Sequence, residues 1–261
     1  MSDSRLLVER KSPIVVLTLN EPAKRNPFSP ALVREMTRAL QDLEQDDETV
    51  VVIFTGAGSA FSGGADLREM RKATAMEDRH EYNHILGLNR LVWNFPKVTI
   101  AAVNGPALGL AANLVGWSDL AIAEEQATFG YPEVRAGIAS ATVIPTLLRL
   151  IGRKAMNEML YTGRAITAAD AYRLGLVNRV VPAGTSLAAA TELALEIARN
   201  SAHGLAFTKE VVRTTTDMEY EKSIEYARDI RVISRLHPEF QSRIDAYLAR
   251  RGPQPGAKGK P

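Results

Sequence analysis

The sequence contains no cysteine, which excludes a disulfide framework, a thiolate metal site and a cysteine nucleophile. A reducing compartment is therefore permitted, and we expect a cytoplasmic protein. The excess of positive charge is small, +2 over 261 residues, so nothing in the charge balance calls for a nucleic-acid or membrane partner. No Walker A pattern occurs, and the turn at 56–58 lacks the remaining glycine of a dinucleotide-binding fingerprint.

Long apolar runs are also absent. The most apolar stretch, 107–117, carries Asn113 and is too short to cross a bilayer. The first five residues place no apolar segment behind a basic start, and we therefore expect no signal peptide. Hydrophobic residues make up 46% and charged residues 24%, an ordinary globular composition that can support one large core without disulfides.

Short β-branched runs alternate with helical patterns in the first half of the chain, which predicts an α/β fold. Strands are predicted at 14–19, 50–55 and 98–103. Ser29 followed by Pro30 predicts the start of a helix, because serine caps free amides and proline fits the first turn.

After residue 184 the pattern becomes helical. Helices are predicted at 185–200, 204–216, 219–235 and 238–251. We therefore predict an α/β core over 1–184, a helical C-terminal region over 185–251, and a disordered tail over 252–261 that is rich in glycine, proline and lysine.

Two glycine-containing segments, 60–67 and 104–110, each follow a predicted strand and precede a helical pattern. Free backbone N–H groups at a helix start favour a developing negative charge. Two such amides that converge on one oxygen would form an oxyanion hole. On these grounds alone, two ordinary tight turns are the simpler interpretation.

Four segments, taken together, favour the oxyanion hole over two ordinary turns. AFSGGADLREM, VTIAAVNGPALG, ATFGYPEVRAGI and YTGRAITAADAYRLGLVNRVVP resemble, in order and at nearly the same spacing, the signature blocks of the enoyl-CoA hydratase/isomerase (crotonase) family. The resemblance covers about 13–182. It implies a spiral of ββα units, a helical C-terminal region that mediates trimer contacts, and a homotrimer or dimer of trimers.

The resemblance also implies an enzyme, a lyase or isomerase, that processes an acyl-CoA. Coenzyme A enters as part of the thioester substrate, and no tightly bound cofactor is expected. In the family, the thioester carbonyl lies between two backbone N–H groups, which fall here on Ala65 and Leu110. The second position is usually glycine, so the Leu110 side chain is expected to narrow the site while the backbone donor is kept.

Family hydratases typically carry two glutamates that hold and activate water. One position maps to Glu133 and the other to Asn113, so one carboxylate is kept and the other is replaced by an amide. Asparagine forms hydrogen bonds but exchanges no proton at neutral pH. The resemblance therefore implies a single acid/base, Glu133, which suffices for moving a double bond and leaves hydration weakened but open.

Contacts with coenzyme A are also implied by the resemblance. The expected residues are Lys24, Arg25, Ala65, Asp66, Leu67 and Arg68. Solvated surface charge is nearly as good an interpretation of each basic residue taken singly. Asp66 and Asp119 are expected to be structural carboxylates. The stretch 137–145 replaces the Pro-Gly-rich turn that usually borders the acyl pocket, which leaves the shape of the substrate open.

Two alternatives stay open. His80-Glu81-Tyr82-Asn83-His84 fits the HExxH pattern of zinc hydrolases, although no His or Glu between 85 and 123 offers a nearby third ligand, and we expect no metal. The other alternative is a non-enzymatic protein that binds a CoA thioester and lost turnover together with the second glutamate.

Overall fold

The computed structural model describes residues 4–65 and 74–251, and these ranges divide after Arg199 into two compact units. The predicted CoA-contact residues Asp66, Leu67 and Arg68 and the predicted tail lie outside the described residues.

The first unit is built on a six-stranded sheet with the order β1-β2-β3-β4-β6-β9. The strands are β1 (Leu6–Lys11), β2 (Ile14–Leu19), β3 (Val51–Gly56), β4 (Val98–Val103), β6 (Leu120–Glu124) and β9 (Arg179–Val181). β1 pairs antiparallel with β2, and the other neighbouring strands pair in parallel. A smaller sheet joins β5 (Ala107–Leu108), β7 (Thr128–Gly130) and β8 (Ile166–Thr167) in the order β5-β7-β8.

Helices cover the large sheet and follow its strands. They are α1 (Pro30–Glu44), α2 (Ala75–Asn94), α3 (Leu110–Trp117), α4 (Ile144–Leu150), α5 (Arg153–Thr162), α6 (Ala168–Leu174) and α7 (Ser186–Ala198). Two short 3₁₀ helices occupy Pro22–Lys24 and Pro132–Ala136. The predicted cap of α1 is confirmed, because the Ser29 side chain accepts a hydrogen bond from Leu32 N at 3.3 Å.

Alternation along the strands divides the core into two layers. Val15 and Leu17 of β2 belong to the larger cluster, which includes the buried side of α1, whereas Ile14 and Val16 face the opposite side of the sheet. There they pack in a second cluster that contains Ala190 and Ala194 of α7. Burial on both faces explains why the parallel strands are continuous apolar runs.

The second unit begins at Asn200 and comprises α8 (Ala202–Thr215), α9 (Tyr220–Ser234) and α10 (Glu239–Arg251). The predicted boundary lay between 184 and 185, but α7 belongs to the first unit because its small alanines pack on the sheet. Within the second unit, α8 and α9 are joined by a hydrogen bond from the Tyr226 hydroxyl to Glu210 Oε1 at 2.6 Å.

Candidate active site

The two glycine-containing segments singled out in the sequence lie side by side. Gly64 has a φ of +88°, and a β-carbon built on it would lie 2.5 Å from the carbonyl oxygen of Leu108 and 3.6 Å from the α-carbon of Gly109. Only a residue without a side chain permits this approach. The peptides that precede Ala65 and Leu110 are therefore close neighbours.

Backbone hydrogen bonds fix this arrangement. Ser62 N donates to Pro106 O at 3.0 Å, and Leu108 N donates back to Ser62 O at 3.1 Å. Gly109 N donates to Gly130 O at 2.8 Å, which ties the second segment to β7. Phe28 N donates to Gly64 O at 2.9 Å, so the bridge between Phe28 and Ala65 uses a neighbouring carbonyl and not the Ala65 amide.

A buried asparagine positions the first segment. Asn26 is 1% exposed, and its Nδ2 donates to the carbonyl oxygens of Ala57, Ala60 and Phe61 at 2.9, 2.9 and 3.2 Å. Its Oδ1 accepts a hydrogen bond from Glu21 N at 2.8 Å. The turn that follows β3 is thereby held against the chain that precedes α1.

The second segment ends at the start of a helix. Leu110 is the first residue of α3, after Gly109 with a φ of +56° and no side-chain cap. The Leu110 amide is thus one of the first-turn donors that a helix leaves without an internal acceptor. The Leu110 side chain is 6% exposed and lines the same cavity as Ala65.

Glu133 lies in the 3₁₀ helix that Pro132 opens. A β-carbon built on Gly109 would lie 2.8 Å from Glu133 Oε1, so this oxygen lies directly against the glycine that precedes Leu110. The other oxygen, Oε2, accepts a hydrogen bond from the Ser140 hydroxyl at 3.0 Å. The carboxylate therefore lies beside the residue that precedes the Leu110 amide.

Asn113 lies one helical turn after the start of α3 and is 4% exposed. Its side chain lines the cavity, and its Oδ1 is buried without a hydrogen-bond partner among the described residues. A buried amide oxygen without a partner costs free energy. The two residues that the family resemblance assigned to proton transfer and water binding, Glu133 and Asn113, are thus brought to one cavity.

Tyr131 lies two residues before Glu133 and is buried. Its ring is 1% exposed, and its hydroxyl has no partner among the described residues. Burial, followed by the negative charge of Glu133, raises the pKa of the Tyr131 phenol far above its usual range. The phenol consequently stays neutral and adds no charge beside the carboxylate.

These groups share a cavity of about 650 Å³, a size typical of small-molecule sites. Apolar side chains form much of the wall, including Phe28, Val33, Ile85, Ile138 and Val143. One hydrogen bond connects two parts of this wall. The Tyr82 hydroxyl on α2 and Thr142 Oγ1, which follows the 3₁₀ helix Pro132–Ala136, are hydrogen-bonded at 2.5 Å.

Lys24 and Arg25, two of the basic residues expected to contact coenzyme A, lie outside this lining. Lys24 and Arg25 are both exposed, and Lys24 forms an ion pair with Glu21 at 2.5 Å. Arg25 is connected to the site through its backbone, since Gly63 N donates to Arg25 O at 2.7 Å. Asp119 is a structural carboxylate, as expected: Thr99 donates to its Oδ2 through the backbone N at 2.7 Å and through Oγ1 at 2.9 Å.

The HExxH residues lie on α2, where the exposed rings of His80 and His84 meet edge to face at 5.6 Å. Glu81 and His84 line the cavity. Among the described residues, no group of three or more His, Asp or Glu side chains is placed to hold a metal ion. Within the same residues, no helix combines the length and apolar character needed to cross a membrane.

Two residues of the site escaped the sequence analysis. Tyr131 and Ser140 both contact or perturb Glu133, yet neither was named as a candidate from the sequence. For Ser140 a signal existed, because it lies in the stretch 137–145, which departs from the family pattern. Tyr131 stands in the signature block ATFGYPEVRAGI, but nothing in that block distinguishes its role from those of its neighbours.

Comparisons with known proteins agree with this geometry. A family model described as enoyl-CoA hydratase/isomerase matches residues 9–257. A Thermus thermophilus protein with the provisional name of an enoyl-CoA hydratase is 39% identical over 247 residues, covering 94% of this chain and 98% of its own. The 2,3-dehydroadipyl-CoA hydratase of Escherichia coli is 32% identical over 251 residues, covering 96% and 98%.

The solved structures agree as well. The crystal structure of an enoyl-CoA hydratase from Bacillus anthracis superposes with a TM-score of 0.91 at 30% identity, over 96% of this chain and 98% of that one. The predicted fold class and the family resemblance are confirmed.

Proposed function

Because this chain belongs to the enoyl-CoA hydratase/isomerase family, we propose that it hydrates or isomerises the double bond of an enoyl-CoA, with Glu133 as its single acid/base. The observation that carries the proposal is the contact between Glu133 Oε1 and Gly109, the residue before the Leu110 amide. This contact supports the role of Glu133, because the only carboxylate at the two family positions lies beside the residue that precedes the Leu110 amide.

The first step is stabilisation of negative charge. Removal of a proton from the α-carbon of a thioester shifts the electron pair of the C–H bond towards the carbonyl oxygen. The amides of Ala65 and Leu110 donate hydrogen bonds to that oxygen, and each such donor is typically worth ~3 kcal/mol in the transition state. The close packing of Gly64 on Leu108 and Gly109 supports this role, because it fixes both donors before the substrate arrives.

The second step is proton transfer. Glu133 accepts the α-proton of a β,γ-enoyl-CoA and returns it at the γ-carbon, which moves the double bond into conjugation. For hydration of an α,β-enoyl-CoA, Glu133 takes a proton from water and delivers a proton to the α-carbon. Asn113 then holds the water or the β-oxygen by a hydrogen bond, since its buried amide lines the cavity.

The substrate is an acyl-CoA whose acyl group enters the apolar part of the cavity. Lys24, Arg25, Asp66, Leu67 and Arg68 are proposed to contact the coenzyme A portion, with no other cofactor bound. The names of the relatives favour hydration, since the Escherichia coli protein is a hydratase of 2,3-dehydroadipyl-CoA and a Clostridium acetobutylicum relative is a short-chain-enoyl-CoA hydratase.

Assembly as a homotrimer or a dimer of trimers is part of the proposal, as is a cytoplasmic location. Large apolar side chains are exposed on the second unit, among them Tyr220 at 74% and Leu236 at 79%. Exposed apolar surface of this kind is typical of protein interfaces. Light scattering coupled to size exclusion tests the assembly, and a monomer at working concentration would contradict it.

One experiment tests the activity. Saturated, α,β-unsaturated and β,γ-unsaturated CoA thioesters are incubated with the protein in heavy-oxygen water, and the products are analysed by mass spectrometry. Hydration adds one labelled oxygen, whereas isomerisation changes retention without a change of mass. Binding of the thioesters without turnover would identify a non-enzymatic CoA-thioester-binding protein and reject the proposed chemistry.

A further inference from the structure

The stretch that departs from the family pattern folds back onto Glu133. Gly137 adopts a left-handed conformation with a φ of +74° and ends the 3₁₀ helix. Ile138 N then donates to Glu133 O at 3.0 Å, and the Ser140 hydroxyl donates to Glu133 Oε2, also at 3.0 Å. The backbone and the side chain of Glu133 are thus both held by the residues that follow it.

We propose that Ser140 is a positioning residue for Glu133: its hydroxyl holds Oε2 and leaves Oε1, which lies against Gly109, as the oxygen that exchanges protons with the substrate. The inference rests on the proposed function, because it assigns Glu133 as the acid/base. It goes beyond that function by naming which oxygen reacts and which side chain determines it.

The contacts of the carboxylate support these different roles of its two oxygens. In the part of the chain that the structure describes, Ser140 is the side-chain donor to Glu133, and no ion pair reaches the carboxylate. Arg135, on the same 3₁₀ helix, donates instead to Thr162 O at 3.4 Å. Glu133 is therefore oriented by a neutral donor, which restricts the rotation of its carboxylate.

The proton balance is simple. The α-proton of the substrate moves to Oε1, the electron pair of the broken C–H bond forms the enolate, and Glu133 becomes neutral. The Ser140 proton stays on its own oxygen, since Oε2 still accepts a hydrogen bond when Oε1 is protonated. Returning the proton from Oε1 to the substrate restores the carboxylate, so Ser140 is unchanged at the end of the cycle.

Other groups near the carboxylate bear on how the test is read. Glu81 and His84 on α2 and Arg135 on the 3₁₀ helix line the same cavity, and their ionisable groups face the same reaction. The Tyr131 phenol, two residues before Glu133, stays neutral. The effect of Ser140 is therefore measured as a difference between variants that leave these groups in place.

The test compares Ser140→Ala, Ser140→Thr and Thr142→Val. Thr142→Val removes a hydroxyl from the same stretch, but that hydroxyl bonds to Tyr82 and not to Glu133. Loss of a hydrogen bond to a charged group predicts a kcat for Ser140→Ala at least ~10-fold lower, with KM changed by less than about threefold. The acidic limb of its pH profile of kcat/KM moves to higher pH.

The other two variants complete the comparison. Ser140→Thr keeps a hydroxyl and restores kcat to within about threefold of the original protein. Thr142→Val leaves the acidic limb of the kcat/KM profile at the same pH, even if this variant changes KM. Unchanged kcat in Ser140→Ala overturns the proposal, and so does an equal loss in Ser140→Ala and Ser140→Thr with no movement of the acidic limb.

A second measurement keeps the inference separate from the proposed function. Protein labelled with carbon-13 at glutamate carboxyl groups is compared by NMR at neutral pH, and Glu133→Gln identifies the Glu133 signal. Ser140→Ala removes the hydrogen bond to Oε2 and is expected to change the chemical shift of that signal, even if no enoyl-CoA is turned over. An unchanged signal contradicts the role of Ser140, whereas absent turnover with a changed signal contradicts the proposed function alone.

Discussion

The carboxylate oxygen Oε1 of Glu133 lies against the α-carbon of Gly109, so closely that an added methyl group would come within 2.8 Å of it. The contact joins the predicted acid/base to the peptide whose amide is predicted to bind the thioester oxygen. The Leu110 amide and the Glu133 carboxylate therefore both lie next to Gly109, and a substitution of this glycine disturbs both groups.

Gly109→Ala is expected to lower kcat/KM by ~100-fold or more, because displacing a reacting group by about 1 Å is enough for such a loss. The positive φ of +56° adds a backbone cost of about 1–3 kcal/mol to the folded state. Steady-state kinetics and thermal unfolding measure the two effects. Gly87→Ala is the control: apart from its chain neighbours and the nearby backbone of α2 itself, no atom lies within 4 Å of the added methyl, so activity is retained.

Glu133→Gln is expected to remove most turnover and to leave folding and CoA-thioester binding nearly intact. A general acid/base typically contributes ~100-fold or more to the rate, and the amide is close in shape to the carboxylate. Calorimetric binding and kcat are compared with those of Glu125→Gln, which neutralises an exposed carboxylate. A near-normal kcat in Glu133→Gln would show that another group transfers the proton.

Asn113→Glu is expected to raise hydration of crotonyl-CoA relative to isomerisation of a β,γ-enoyl-CoA. The substitution supplies the second carboxylate, which can activate water while Glu133 protonates the α-carbon. Asn113→Gln is the control, since it lengthens the buried side chain without adding a charge. If the original protein hydrates crotonyl-CoA rapidly and Asn113→Glu loses that rate, this account of the missing carboxylate is wrong.

The helical unit after residue 199 is expected to lose stability as the pH falls from neutral. The ring of His203 stacks on His237 at 3.7 Å, and its buried Nε2 has no partner among the described residues. Burial, and then the charge of His237, lower the pKa of His203 below 6.5, although Glu239 acts in the opposite direction. Because the folded state disfavours the protonated ring, stability is full above about pH 6.5 and declines as the pH drops towards the lowered value.

This pH effect is checked by thermal unfolding between neutral and mildly acidic pH. His203→Gln is expected to flatten the dependence in that window, whereas His80→Gln, on the exposed surface of α2, is expected to leave it unchanged. Identical pH dependence in the original protein and in His203→Gln would exclude the stacked pair as its source.

The elements of the first unit were largely predictable where one local signal determined them. The strand at 14–19 and the strand at 98–103 have the predicted bounds, and the strand after residue 49 differs by one residue at each end. These runs are β-branched or apolar and buried on both faces, so pattern and tertiary structure agree. The boundary at 184 was less well predicted, since the packing of α7 on the sheet is not visible in its helical pattern.

The site was predictable to the extent that backbone turns and family motifs determine it. Ala65, Leu110, Asn113 and Glu133 were each predicted, and all four line one cavity. The contacts between them depend on segments that are distant in the chain, such as Gly64 against Leu108 and Ser140 against Glu133. Such contacts arise from the packing of the whole unit, and no local pattern carries them.

Asn26 has a consequence for the chemical ageing of the protein. Conversion of its amide to a carboxylate would set a negative charge against the carbonyl oxygens of Ala57, Ala60 and Phe61 and release the turn that leads to the site. Spontaneous deamidation proceeds by attack of the next backbone N–H on the side-chain carbonyl, and Pro27 has no N–H. Pro27 thus protects Asn26, on which the turn depends, from the commonest route of deamidation.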